Sequence, residues 1–94
     1  MTITTELLTE FKERMRISHS SEDNNLKRLL SFSYAYLIDK CGEFDINQNL
    51  LGKELVMERA RYSYNDAVEF FEDNFLSQIH SLGFDLANFE GDEE

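Results

Sequence analysis

The chain contains no proline, no tryptophan, only four glycines and a single cysteine in 94 residues. Proline costs about 3 kcal/mol in a helix interior, so its absence removes the strongest obstacle to an all-α fold. The single Cys41 cannot form an internal disulfide, which fits a reducing compartment or a protein indifferent to redox conditions. We interpret it as a small buried hydrophobe.

Long apolar runs are also missing. No stretch approaches the roughly 20 apolar residues that a membrane-spanning helix requires. The N-terminal sequence has neither the basic region nor the apolar region of a signal peptide. We therefore expect no membrane association, and a length of 94 residues predicts one domain with a modest core.

Positive charge is absent from the last third of the chain. All nine Lys and Arg residues lie within residues 1–61, whereas residues 62–94 carry nine acids, and the whole chain has a net charge of −10. Such a field repels nucleic acid and anionic membranes and favours cationic surfaces. A solvated helix face with an acidic tail would explain this asymmetry, and so would a surface with a function.

The basic residues form only two local clusters, and neither predicts nucleic-acid binding. Lys12, Arg14 and Arg16 are interleaved with acids, and Lys27 and Arg28 stand between acids and an apolar stripe. A nucleic-acid site needs a concentrated basic patch. We interpret both clusters as docking points for an acidic partner or for a neighbouring subunit's acidic C-terminal region.

The motifs of catalysis are absent too. The sequence has no Gly-rich phosphate loop, no nucleophile elbow and no His or Cys pair at ligand spacing. His19 is interpreted as a turn residue and His80 as a helix-surface or interface residue. The acids Glu69, Glu72 and Asp73 lack the spacing of a calcium-binding loop. We predict a protein that is not an enzyme and that has no metal site and no cofactor.

Apolar residues at helical spacing predict an all-α fold, a small bundle of three to four helices with a long third helix and a C-terminal helical segment. The first helix can be capped by Thr4 or Thr5 and ends near Ile17. The second follows Ser20, which has an acid three residues later in a near capping box. It ends at Gly42.

The third segment is long. It follows a polar loop at residues 43–49, in which Asn47 or Asn49 can cap the helix. Its apolar stripe continues to the Phe-Phe pair, and the pattern resumes after residues 72–74. Either Asn74 caps a fourth helix or the third helix kinks there.

The domain is expected to cover residues 1–89, with residues 90–94 forming an acidic disordered tail. The second helix is apolar on two sides, so both sides must be covered. One of them is covered by the chain's own core. Apolar surface therefore exceeds what one small core needs, which favours association with a partner or a neighbouring subunit.

Interface-type side chains concentrate in the third segment, where Arg and Tyr residues follow one another closely. Both residue types are enriched at protein interfaces, because they combine contact area with directed hydrogen bonds. An ordinary amphipathic helix with an aromatic core explains the same pattern. The candidates for subunit contacts are Arg59, Arg61, Tyr62, Tyr64, Asn65 and Asp66, with Phe32, Tyr34 and Tyr36 of the second helix.

Three stretches in order resemble a known family. They are the run from Lys12 to Asp23, the helix from Leu26 to Gly42, and the stretch RARYSYND at residues 59–66. Together they resemble the small head–tail connector (adaptor) proteins of long-tailed double-stranded DNA phages, in the version found in phages of Gram-positive hosts. The resemblance spans residues 4–89, although Ser20-Ser21 replaces a turn that is more acidic in the family.

The resemblance implies a virion structural protein of the phage neck, without catalysis. Such a protein completes the head by forming a ring, nominally a dodecamer, that docks beneath the portal protein. The ring extends the DNA channel and provides the platform for the stopper or another neck protein. It would assemble in the host cytoplasm and let DNA pass without specific binding, with Glu69, Glu72 and Asp73 as candidate channel acids.

A second hypothesis belongs to a different class. The acidity also fits a small regulator or DNA-mimic inhibitor that binds a basic partner protein as a monomer or dimer. It predicts binding through charge, with no ring and no portal.

Overall fold

The computed structural model describes residues 3–92, with side chains described for residues 3–87. Its elements are α1 (Thr5–Met15), α2 (Asp23–Cys41), α3 (Leu50–Tyr64), a 3₁₀ turn (Val68–Phe70), α4 (Phe71–Asn74) and α5 (Leu76–Asp92). Residues 3–92 contain no strand, so the predicted all-α fold is confirmed. Across the same range, no helix has both the length and the apolar character needed to cross a membrane.

Two of the alternative N-caps offered by the sequence are used. The Thr4 side chain accepts a hydrogen bond from the Leu7 amide at 3.2 Å, which starts α1. The Asn49 side chain accepts one from the Gly52 amide at 2.8 Å, which starts α3. These bonds satisfy amides that have no partner within the helix. At the end of α2, Gly42 has φ +111°, a conformation that favours glycine.

Ser20 does not cap α2. The helix begins at Asp23, and Glu22 precedes it without a side-chain cap bond. The Asp23 amide donates instead to the Ser20 carbonyl at 3.2 Å, which closes a turn before the helix. The Ser21 hydroxyl lies 2.8 Å from a ring nitrogen of His19. The two serines therefore belong to the turn that precedes α2.

The third helix is shorter than the predicted segment and ends at Tyr64. Asp66 adopts the left-handed conformation, with φ +58°. The Ala67 amide donates to the Tyr62 carbonyl at 2.8 Å, and the Asp66 amide donates to the Ser63 carbonyl at 3.1 Å. This pair of bonds around a left-handed residue is the Schellman motif, which terminates helices. The helix is therefore interrupted soon after Tyr64. The sequence pattern had placed the interruption later, at residues 72–74.

The turn after α3 returns the chain to the bundle. The 3₁₀ turn and the short α4 bring Phe71 back against α2 and α3, where its side chain is 1% exposed. α5 then extends to Asp92, so residues 90–92 are helical in the structure, although we predicted a disordered tail there. Glu93 and Glu94 lie outside the described residues.

The core lies where α2, α3 and α5 meet, and α1 packs on α2. Full burial of one aliphatic or aromatic side chain contributes about 1.5–3 kcal/mol, so a core of this size can hold the bundle. Its buried apolar residues are Leu7, Leu8, Phe11, Leu26, Leu30, Leu37, Ile46, Leu55, Val56, Met57, Ala60, Phe71, Ile79 and Leu82.

Ion pairs connect α1 to its neighbours. Arg14 donates to both carboxylate oxygens of Glu54 and to Glu58, each at 2.8 Å. The pKa of Glu54 is lowered, first by its hydrogen bond from Arg14. Lys12 pairs with Asp23 at 2.7 Å. These members of the first basic cluster therefore bind acids of their own chain.

Candidate interaction surface

An aromatic cluster fastens the segment after α3 to the rest of the bundle. Phe71 stacks on Phe75 with ring centroids 5.0 Å apart, and Tyr62 meets both rings edge-on at 5.8 and 5.7 Å. Tyr36 approaches Phe71 edge-on at 6.3 Å. Edge-on and offset pairs of this kind add about 0.5–1.5 kcal/mol beyond burial. Tyr62 therefore holds α3 against α4 within one chain.

Arg59 lies against this cluster rather than in solvent. Its guanidinium stands 4.3 Å from the centroid of the Tyr36 ring, and it donates to the buried Ser33 hydroxyl at 3.2 Å. Burial lowers the pKa of Arg59. A cation over an aromatic face is attracted by the ring's electrons. The contact therefore ties α3 to α2.

Tyr36 carries a second tie, to α4. Its hydroxyl donates to Glu72 at 2.6 Å, and Lys40 lies 3.7 Å from the same carboxylate oxygen. Burial, with the hydrogen bond to Glu72 next, raises the pKa of Tyr36 to about 12. The Tyr36 bond is the largest influence that lowers the pKa of Glu72. Of the candidate channel acids, Glu72 is thus engaged with α2.

The remaining tyrosines of the predicted interface also bind within the chain. The Tyr34 hydroxyl donates to the Phe44 carbonyl at 2.6 Å and accepts from the Ile46 amide at 3.2 Å, which pins the loop before α3. The Tyr64 hydroxyl donates to Glu22 at 2.9 Å. Both tyrosines are half-buried. These contacts give them a structural role in the single chain.

Of the polar residues predicted as subunit contacts, Arg61 forms an ion pair, and Asn65 and Asp66 lie at the exposed end of α3. Arg61 pairs with Glu58 at 2.6 Å and stands over the Tyr62 ring at 5.4 Å. Asn65 and Asp66 are exposed in the turn that ends α3. The structure therefore brings Arg59, Tyr36 and Tyr62 around Phe71 but leaves Asn65 and Asp66 outside that group.

Phe32 differs from the other interface candidates because it is 62% exposed and belongs to no aromatic pair among the described side chains. It lies on an exposed face of α2 with Asn24, Arg28 and Ala35, at helical spacing. Phe32 is therefore available for a contact outside the chain.

Two candidate channel acids remain without an ion pair among residues 3–87. Glu69 in the 3₁₀ turn and Asp73 in α4 are both exposed. Together with Asp85 of α5 they place negative charge on the surface after α3. A polyanion would be repelled there and a cationic side chain attracted.

An apolar stripe on α5 was not identified from the sequence. Leu76 and Phe84 are 41% and 64% exposed, and His80 lies exposed between them at four-residue spacing. The buried stripe through Ile79 and Leu82 has a stronger apolar pattern, so the sequence analysis assigned only that stripe to α5. Spacing alone could have found it, but spacing does not tell which of two apolar stripes faces the core.

The stripe borders a shallow groove. Ser77 and Ser81 line it with their small side chains, and Phe84 and Leu76 form its apolar border. Asp73 and Asp85 also line it. Small residues between large ones leave a depression that suits an inserted side chain, while the two acids favour a cationic neighbour.

Cys41 does not have the environment of a reactive thiol. Its Sγ donates to the Ile79 carbonyl at 3.4 Å, and burial raises its pKa. A raised pKa keeps the thiol protonated and weakly nucleophilic. Among the side chains of residues 3–87, no three His, Cys, Asp or Glu residues are grouped to hold a metal ion.

No protein-family model, curated protein or solved structure matches this chain.

Proposed function

We propose that this chain is a non-catalytic assembly protein, the head–tail connector of a long-tailed double-stranded DNA phage. It completes the head as a ring, nominally a dodecamer, beneath the portal protein in the virion neck. The ring extends the DNA channel and provides the platform for the stopper or another neck protein. The resemblance over residues 4–89 supplies the identity of the partners.

One structural observation carries the proposal: large apolar side chains remain outside a core that is already filled. Phe11 and Phe71 are buried, whereas Phe32, Phe70 and Phe84 are 62%, 57% and 64% exposed. Single exposed apolar residues are ordinary on a protein surface. Three phenylalanines more than half exposed, on three elements of one small bundle, support contacts with other chains.

The surface acids support the channel part of the proposal. Glu69 and Asp73 are exposed without an ion pair among residues 3–87. Carboxylates on a channel wall keep DNA mobile, because they deny phosphates the cationic contacts that release counterions and produce binding. Glu72 contributes charge to the same region, although it is also bound to Tyr36.

The test is coexpression with the portal protein encoded by the same genome, followed by purification and electron microscopy of the portal rings. We expect added density at one end of each portal ring, with the portal alone as the control. Portal rings that remain bare at a large molar excess of this chain would overturn the connector assignment.

The exposed position of Glu69, Asp73 and Asp85 also favours the second hypothesis, an acidic regulator or DNA mimic. Such a protein forms a small stoichiometric complex with a basic DNA-binding protein and competes with DNA for it. A competition assay against DNA separates the hypotheses, since a connector does not displace DNA from a basic protein and a mimic does not decorate portal rings.

A further inference from the structure

The exposed groove of α5 has a chemical counterpart elsewhere on the same chain. Leu76 and Phe84 border the groove, Ser77 and Ser81 leave it shallow, and Asp85 lines it. Phe84 is 64% exposed, so most of its apolar surface faces water in the single chain. Burying that surface would contribute about 25 cal/mol for each Å² removed from water.

The counterpart is the exposed face of α2 that carries Phe32. Arg28 lies one turn before Phe32 and is exposed like it. Arg28 forms no ion pair with any described side chain, whereas Lys12, Arg14 and Arg61 each do. This face therefore presents an uncovered phenylalanine beside an unpaired cation.

The spacing of the two surfaces matches. On α2, Arg28 and Phe32 are separated by about 6 Å along the helix axis. On α5, Ser81 inside the groove and Asp85 one turn later are likewise separated by about 6 Å along the helix axis. A Phe32 ring placed in the middle of the groove would thus bring the Arg28 guanidinium within reach of Asp85, because an arginine side chain is long and flexible.

A symmetric pairing of the α5 groove with itself is disfavoured. Two copies of the α5 groove would place Asp85 and Asp73 against the same acids, in a chain whose net charge is already −10. Two copies of the α2 face paired with each other would leave the α5 groove of each copy, with its exposed Phe84, uncovered. Like charges placed opposite each other across an interface cost free energy, whereas α2 against α5 pairs opposite charges.

We propose that the α2 face of one copy docks in the α5 groove of the next copy, with Phe32 in the groove and Arg28 paired with Asp85. The contact joins two different surfaces, so each copy keeps one surface of each kind free. Such head-to-tail contacts repeat, and they close into a ring when the rotation between copies permits. The inference rests on the proposed function for the closed ring and names the contact that builds it.

The test reverses the two charges separately and together. Arg28→Asp and Asp85→Arg each place like charges in the contact, so each variant alone should self-associate at least about tenfold more weakly. An equimolar mixture of the two should assemble, because wild-type contacts alternate with swapped ones. The double variant should also recover. Sedimentation up to millimolar concentration measures this, with circular dichroism to verify the fold.

Lys27→Asp is the matched control. It makes the same charge change at another exposed position of α2. Lys27, however, is turned about 140° around the helix from Phe32. It should leave self-association within about twofold of wild type. Single variants that associate normally, or a mixture and a double variant that both fail to recover, would overturn the contact. So would a wild-type chain that stays monomeric throughout.

The proposed contact and the connector assignment can fail independently of each other. Portal rings decorated equally well by wild type and Arg28→Asp would remove the proposed contact and leave the function standing. If the charge swap restores self-association but the chain never binds the portal, the proposed contact would stand and the connector assignment would be wrong.

Discussion

The Tyr36 hydroxyl donates a 2.6 Å hydrogen bond to Glu72, so the only turn of α4 is bound directly to the middle of α2. The same tyrosine ring lies beneath Arg59 and beside Phe71. One side chain therefore joins three elements that are distant in sequence. A residue predicted as a subunit contact has a structural role in the isolated chain.

Tyr36→Phe removes this hydroxyl and keeps the ring. We expect the free energy of unfolding to fall by about 0.5–1 kcal/mol, because the bond is exposed to solvent and its net contribution is modest. Urea unfolding measures the change. Phe32→Tyr is a control that alters an exposed ring without touching α4. A Tyr36→Phe variant as stable as wild type would show that the bond contributes nothing.

Burial of Tyr36, together with its bond to Glu72, predicts a pH dependence. The pKa of Tyr36 is raised to about 12, whereas an unfolded tyrosine has a pKa of about 10. The folded state therefore holds the proton more tightly, and its contribution is complete below pH 10 and is lost as the pH rises towards 12. Ultraviolet titration should show the ionisation of Tyr36 displaced to high pH, and Glu72→Gln should shift that ionisation to lower pH. A titration curve that Glu72→Gln leaves unchanged would contradict this.

Two glycines should respond oppositely to alanine. A Cβ at the buried Gly52 would overlap the Phe44 ring, so Gly52→Ala should destabilise the fold by about 1–3 kcal/mol. Gly83 lies within α5, and a Cβ there would be 3.8 Å from the nearest atom of Cys41, an ordinary contact. Gly83→Ala should stabilise by about 0.4–1 kcal/mol. Thermal unfolding compares them, and equal effects would mean that Phe44 moves aside.

The end of α3 can be tested at Asp66. Its φ of +58° is strained for a residue with a side chain and natural for glycine. Asp66→Gly should therefore stabilise the fold by about 0.5–1 kcal/mol, while Asp66→Val should destabilise it by more than that. If α3 continued through this position instead, glycine would be the more damaging substitution. Chemical denaturation distinguishes the two orders of stability.

Tyr62→Ala and Phe84→Ala separate folding from assembly. Tyr62 packs on Phe71 and Phe75, so its loss should destabilise the fold by about 2–3 kcal/mol. Phe84 is 64% exposed, so its loss should change stability by less than about 0.5 kcal/mol and should weaken self-association instead. Unfolding curves measure the change in stability, and sedimentation measures the change in self-association. A stable Tyr62→Ala variant that no longer assembles would show that Tyr62 acts at the subunit interface instead.

The candidate channel acids give a prediction in the particle. Glu69→Lys with Asp73→Lys reverses two exposed charges and leaves Glu72 bound to Tyr36. The double variant should fold normally and bind DNA with an affinity that falls steeply as salt rises. Particles completed with it should eject DNA more slowly. Normal ejection from correctly assembled variant particles would remove these acids from the channel wall.

The caps of α1 and α3 could be predicted from the sequence, whereas the turn that ends α3 could not. Thr4 and Asn49 were among the predicted caps, because a short polar side chain beside a helix start reports its role locally. The end of α3 was not predicted, because Asp66 takes a left-handed conformation that the sequence signals strongly only when glycine is present. The left-handed tolerance of Asn and Asp was the available signal at Asn65 and Asp66.

The amino-acid sequence by itself determined the all-α class, since helical periodicity and the lack of proline act on local backbone preferences. It also determined the charge asymmetry, which requires only counting. Tertiary structure decided which aromatic side chains are internal and which remain exposed. Tyr36 and Tyr62 meet Phe71 only because the chain turns back after Asp66, and Phe32 and Phe84 are left uncovered by the same packing. Burial depends on contacts between residues distant in sequence, so no local pattern could assign it.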